Sequence, residues 1–140
     1  MKAVGVTRQP PQRRGGDSET RLTIRVDFGA HGALGPGKIR LMELIGEKGS
    51  ITAAGRAMKM SYRRAWLLVD TLNRMFREPL IETQHGGSGG GGAVLTPLGQ
   101  RVVALYRGIE AGASTTASAS LGELEDALSN ELASESDISD

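Results

Sequence analysis

The 140-residue chain has no cysteine and only five aromatic residues, one Trp, two Tyr and two Phe. The first absence removes disulfides, thiolate metal sites and cysteine nucleophiles together. The second predicts a core that is mostly aliphatic. The two histidines, His31 and His85, both sit in glycine-rich loops. No pair of carboxylates has a spacing suited to proton transfer, so the residues do not describe an enzyme, and no cofactor or metal is expected. No apolar run approaches the roughly 18 residues that cross a bilayer, and none follows the N-terminus in the manner of a signal peptide. A cytoplasmic chain without membrane contact is therefore the expectation. Basic residues are missing entirely after Gly112: all 17 precede it with nine of the 16 acids, a net +8, and the other seven acids follow it.

With 39% apolar and 24% charged residues, the chain has the balance of an ordinary soluble domain with tails. Residues 1–20 read as a disordered basic arm, with Pro10-Pro11, Arg13-Arg14 and Gly15-Gly16 and little that is apolar. Residues 21–111 carry the hydrophobic patterning of one folded domain. Residues 112–140 form an acidic, low-complexity tail in which Leu121, Leu124, Leu128 and Leu132 outline a weak amphipathic helix.

The domain is organised around Gly49 to Phe76. Ser61 is a good N-cap, and Ala65, Leu68, Val69, Leu72, Met75 and Phe76 then recur at helical spacing on one face. Arg63, Leu67, Asp70 and Arg74 fall on the other. Before it, Ser50 or Thr52 caps a short helix whose small residues, Ala53, Ala54 and Ala57, permit close approach to a neighbour. Met58 to Ser61 make the turn, with Lys59 as the residue expected in the left-handed region. Two helices joined by a tight turn, the second capped and basic at its start, make a helix-turn-helix. From Lys48 to Arg77 there are seven basic residues against one acid, Asp70, and phosphate is the matching counter-charge.

The flanking elements complete the pattern. Arg21 to Phe28 alternates apolar Leu22, Ile24, Val26 and Phe28 with polar residues, the signature of a half-buried strand. A turn-rich loop, Gly29 to Gly37, leads to a helix opened by Pro36 and carrying Ile39, Leu41, Met42, Leu44 and Ile45, with Gly46 and Gly49 at its end. Beyond Phe76, extended runs at Pro79 to Gln84 and Ala93 to Leu95 enclose Gly86 to Gly92, which spells a β-hairpin, the wing of a winged helix. Its tip also fits GxGxxG, but it lies between strands and opens no helix, so it is not a nucleotide site. Thr96 then caps and Pro97 opens a last helix with Leu98, Val102, Leu105, Tyr106 and Ile109 on one stripe. That stripe is longer than a small core absorbs and predicts a homodimer through those five residues, with Gly112 to Ser120 breaking the helix. The expected fold is mainly α with a small β-hairpin, a winged helix-turn-helix.

The expected DNA contacts follow from this layout. Arg63 reads base edges, with Leu67 and Arg74 on the same free face, Arg64 on the flank holds backbone, and Thr52, Lys59, Ser61 and Tyr62 lie at the helix starts and turn. His85, at the edge of the wing tip, is within reach of phosphate, against the alternative of an exposed loop histidine without a role, and Ser88 at the tip is counted among the contacts. Trp66 is expected to pack against the wing or a neighbouring helix. The competing reading is a winged helix used as a protein-interaction module, which differs in having no steep salt dependence.

Ser61-Tyr62-Arg63-Arg64-Ala65-Trp66, the tip GGSGGGGAVL and Leu95-Thr96-Pro97-Leu98-Gly99 together resemble the DNA-binding domain of ModE-type molybdate-responsive transcriptional regulators. The likeness covers roughly Arg21 to Glu110, and a more distant one extends to LysR-type regulators. It implies a homodimeric winged-helix regulator of molybdate-uptake or molybdenum-enzyme genes that reads a palindromic operator. Members that sense molybdate themselves carry a C-terminal pair of small β-barrels, and the residues after Gly112 lack that strand pattern. The expectation is a DNA-binding half whose effector, where there is one, acts through a separate partner chain.

Overall fold

The computed structural model describes residues 19–84 and 91–129. Nearly all of the expected basic arm, the wing tip with His85 and Ser88, and Leu132 in the tail lie outside them. The chain divides into two compact units, Thr23–Glu110 and the residues on either side of it.

Within Thr23–Glu110, β1 (Val26–Asp27) pairs antiparallel with β2 (Ala33–Leu34), Val26 opposite Leu34. The strand expected over Arg21 to Phe28 is thus only two residues long. Burial still alternates along it, with Ile24 and Val26 half-buried and Thr23, Arg25 and Asp27 exposed. The partner strand is too short to supply further ladder bonds, because a 3₁₀ turn at Gly29–His31 bends the chain back at once. Phe28 ends the run 41% exposed, its ring edge-on to Phe76 at 5.9 Å.

Helix α1 (Pro36–Lys48) buries Ile39, Leu41, Met42, Leu44 and Ile45. Gly46 does not end it; termination falls to Gly49, whose left-handed backbone turns its N–H onto the Ile45 carbonyl at 2.8 Å. Ser50, not Thr52, caps α2 (Ile51–Ala57), its hydroxyl accepting from the Ala53 N–H at 3.0 Å. Helix α3 (Tyr62–Met75) is capped in the same way by Ser61, which accepts from the Arg64 N–H at 3.0 Å. Between them Lys59 takes the left-handed conformation at φ 60°, and the Met60 N–H returns to the Gly55 carbonyl. The two helices touch where Gly55 meets Ala65: a Cβ on Gly55 would stand 2.8 Å from the Ala65 Cβ. Small residues at this crossing fix how far α3 can project, since close-packed interiors leave no slack to take up an added methyl.

The wing strands β3 (Ile81–Gln84) and β4 (Gly92–Leu95) form an antiparallel hairpin with Ile81 opposite Leu95 and Gln84 opposite Gly92. The hairpin is pinned from three directions. Asn73, near the end of α3, accepts from the N–H groups of Leu80 and Ile81 and donates to the Ile81 carbonyl. The Thr96 hydroxyl donates to the Pro79 carbonyl at 2.9 Å and accepts from the Gly99 N–H at 2.9 Å, the expected cap. The Ala93 N–H bonds the Gly49 carbonyl at 2.9 Å. A Cβ on Gly99 would collide with the Leu80 carbonyl oxygen, so α4 starts hard against the wing.

Helix α4 runs unbroken from Pro97 to Asp126, which corrects the expected break at Gly112 to Ser120. No proline follows Pro97, and Ala111, Ala113, Ala117 and Ala119 are good helix formers. A helix already nucleated gains one hydrogen bond per added residue, against a cost of about 1 kcal/mol for a glycine. Leu121 and Leu124 therefore belong to this helix and not to a separate one.

Two of the five residues assigned to a dimer surface are spent inside the domain. Val102 and Tyr106 are buried among the core residues of α1, α3 and the wing, and the Tyr106 hydroxyl donates to the Ile24 carbonyl at 2.6 Å. They leave the interface set, because a side chain that closes its own core has no surface to offer. Leu98 is half-buried, and Leu105 and Ile109 remain about half exposed. Arg107 fastens α4 to α1 through a bidentate pair with Glu43 at 2.8 and 2.9 Å and also holds Glu110. Its hydrogen bonds keep the Glu43 carboxyl below the usual carboxylate range, against the opposing effect of burial.

Candidate nucleic-acid interface

The cap at Ser61 and the contact at Ala65 fix both the start of α3 and the side it buries. Ala65, Val69, Leu72 and Met75 face inward. Successive residues are turned by about 100° around a helix axis, which puts Arg63, Leu67, Asp70 and Arg74 together on the outer side. All four are exposed, and Leu67 is 52% accessible. The Arg63 guanidinium has no hydrogen bond or ion pair among the described residues. Arg74 holds Asp70 at 2.9 Å one turn away. Both partners are well exposed, so this pair is worth at most about 1 kcal/mol and yields readily to a phosphate.

Two clefts flank this face. On one side Tyr62 and Trp66, their rings 6.1 Å apart, line a cleft of about 500 Å³ with Ser50, Thr52, Thr83, Gln84 and Gly92. Trp66 thus sits beside the wing, as expected, with 38% of its surface still open. On the other side Arg64 and Leu68 line a cleft of about 550 Å³ with Met60, Arg25, Lys38 and residues near the start of α1. The sequence does not reveal Arg25 or Lys38 as part of this surface, because each lies on a different segment, far along the chain from Arg64.

The remaining predicted contacts distribute as follows. Lys59 is exposed at the left-handed turn position. The Ser61 oxygen is occupied by the cap, leaving its O–H as a donor. Thr52 is half-buried on the wing-side cleft. His85 and Ser88 fall outside the described residues. Asn73 has no place in the sequence pattern, yet its side chain joins the end of α3 to the wing strand. An asparagine on the polar side of a helix carries no signal that its amide will be used by the backbone eight residues on.

Chemically this is a basic surface, with the Arg63 guanidinium, unpartnered among the described residues, at its centre. No group of three or more His, Cys, Asp or Glu residues among the described residues is placed to hold a metal ion. Among those residues, no helix is long and apolar enough to cross a membrane.

No family model matches the chain. It is 42% identical over 90 residues to the molybdenum transport protein ModE of Azotobacter vinelandii, covering 64% of this chain and 33% of that one. The molybdenum-pterin-binding protein MopB of Rhodobacter capsulatus is 40% identical over 101 residues, 71% of this chain and 37% of its own length. The DNA-binding transcriptional dual regulator ModE of Escherichia coli K12 is 41% identical over 71 residues, 51% of this chain and 27% of its own. The chain spans about a third of the length of the curated relatives it matches. These relatives give the LysR likeness no support. On the strength of identities near 40% that reach well over half of its length, the chain is a relative of the ModE-type regulators over a segment about a third as long as they are.

Proposed function

We propose that the chain is a sequence-specific DNA-binding regulator of transcription, acting on molybdate-transport or molybdenum-enzyme genes. The observation that carries this reading is the exposed face of α3, where Arg63 stands unpartnered among the described residues between two flanking clefts. An α-helix with its side chains is about 10–12 Å across and the major groove about 12 Å wide. Arg63 then meets base edges, Leu67 is suited to a thymine methyl, and Lys59, Ser61, Tyr62 and Arg74 lie at backbone distance. The names of its relatives in A. vinelandii and E. coli support the regulon and the DNA partner.

The protein acts as a homodimer on a palindromic site, paired through Leu105 and Ile109 with Leu98 at the margin. Two exposed aliphatic side chains one helical turn apart support this part. Selection of duplex from a random pool, followed by titration at several salt concentrations, tests the whole. A recovered palindrome bound with a steep salt dependence is expected. Binding that ignores salt, or recovery of no preferred sequence, rejects it in favour of a protein-interaction module.

A further inference from the structure

We propose that the cleft formed by Arg25, Lys38 and Arg64 is a clamp for the DNA backbone on the strand opposite to the one the wing approaches. The clamp rests on the DNA-binding reading and adds a second phosphate-holding site, two of whose three cations come from outside the helix-turn-helix.

Three cations line one cleft, and no acid lines it with them. Arg25 and Arg64 have no side-chain partner among the described residues. The Lys38 ammonium donates to the Ala33 carbonyl at 2.7 Å, which holds it in place and leaves two of its three donors unused among the described residues. Like charges gathered without a counter-ion repel each other. That cost is offset where an anion enters, and arginine is suited to phosphate through paired donors.

The position of the cleft identifies the anion. Tyr62 and Arg64 are turned by about 100° in opposite senses from Arg63, so the wing-side cleft and the basic cleft lie on the two shoulders of the same reading face. A helix that fills the major groove has one phosphodiester strand along each shoulder. With the wing beside one strand, the shoulder carrying Arg25, Lys38 and Arg64 is beside the other.

The test compares the wild type with R25Q/R64Q and R25K/R64K on the duplex selected from the random pool and on a scrambled duplex. The slope of log affinity against log salt is expected to fall by close to two in R25Q/R64Q, about 0.9 for each phosphate that the variant no longer neutralises. Affinity for both duplexes should drop by the same factor, and R25K/R64K should keep most of the slope. Ethylation of individual phosphates should interfere with the wild type on both strands and with R25Q/R64Q on the wing strand only. A wild type without salt-dependent binding overturns this proposal together with the reading beneath it. A steep wild-type slope that R25Q/R64Q leaves unchanged overturns the clamp alone, as does a loss confined to the selected duplex. Saturable binding of free phosphate or molybdate at micromolar concentration, abolished in R25Q/R64Q, also overturns it in favour of a small-anion site.

Discussion

The side-chain amide of Asn73 exchanges hydrogen bonds with the backbone of Ile81, donating to its carbonyl at 3.0 Å and accepting from its N–H at 3.0 Å. The same oxygen takes the Leu80 N–H at 2.9 Å. One side chain thereby does for the first residue of the wing what a neighbouring strand would do, and it sets the angle between α3 and the hairpin.

Asn73→Ala leaves two partly buried donors and one acceptor without that partner, at a cost of about 1–3 kcal/mol for a group left unsatisfied. Asn73→Asp keeps the acceptor and loses the donor, and should fall between the alanine variant and the wild type. Urea denaturation gives the stabilities. Amide exchange should show the loss concentrated at Leu80 and Ile81, and protection there equal to wild type would contradict the assignment.

Gly55→Ala places a methyl at 2.8 Å from the Ala65 Cβ, inside any normal carbon–carbon contact. Helix propensity alone favours alanine by about 1 kcal/mol, while overpacking costs roughly 1–3 kcal/mol. The substitution should therefore destabilise or come out near neutral in stability, yet still shift α3 outward and weaken DNA binding. Unchanged affinity together with raised thermal stability would show that the crossing has slack.

Arg63→Ala should flatten base preference, since a bidentate arginine on guanine is worth roughly 1–3 kcal/mol of discrimination. Competition between the selected duplex and single-base variants measures it. Equal losses on selected and random duplexes would reduce Arg63 to a phosphate contact.

The Glu43–Arg107 pair makes stability pH-dependent in a defined direction. Hydrogen bonding to Arg107 lowers the Glu43 pKa in the folded state, and Arg107 itself is pushed upward and stays charged throughout. A depressed carboxylate contributes stability that is fully present above its unfolded pKa and is lost as pH falls through its folded one. Glu43→Gln should thus cost stability at about pH 7 and progressively less on acidification towards about pH 3. A stability difference that does not change with pH would count against the pair.

Molybdate is expected not to bind this chain selectively. A dianion needs several fixed donors in a dehydrated pocket, and the described clefts are open and flank the proposed reading face. Calorimetric titration with molybdate and sulfate checks it, and micromolar binding that favours molybdate is the contrary result.

The legibility of these features in the sequence follows the range of the forces that make them. Ser61 as cap, Lys59 as the left-handed residue and the buried face of α3 are local, and sequence spacing is enough to find them. The continuity of α4 is hidden because GASTTASAS has the composition of a linker, while cooperative extension from a helix anchored at Thr96 outweighs composition. Tyr106 reads as a surface residue for a related reason. Helical spacing gives the stripe but not the width of the groove that receives it, and that groove closes over Tyr106 through the carbonyl of Ile24, 82 residues away. Arg25 and Lys38 join Arg64 only through tertiary folding, so no pattern along the chain groups them.

The pinned wing bears on how this protein can change over evolutionary time. Asn73, Thr96 and the bond from Ala93 to Gly49 hold both ends of the hairpin independently of what connects them. The closure cost of a connecting loop rises by only about 0.6 kcal/mol for each doubling of its length. Insertions and deletions between Gln84 and Gly91 are thereby uncoupled from the stability of the domain. A change of length or chemistry at that position therefore leaves the rest of the fold as it is.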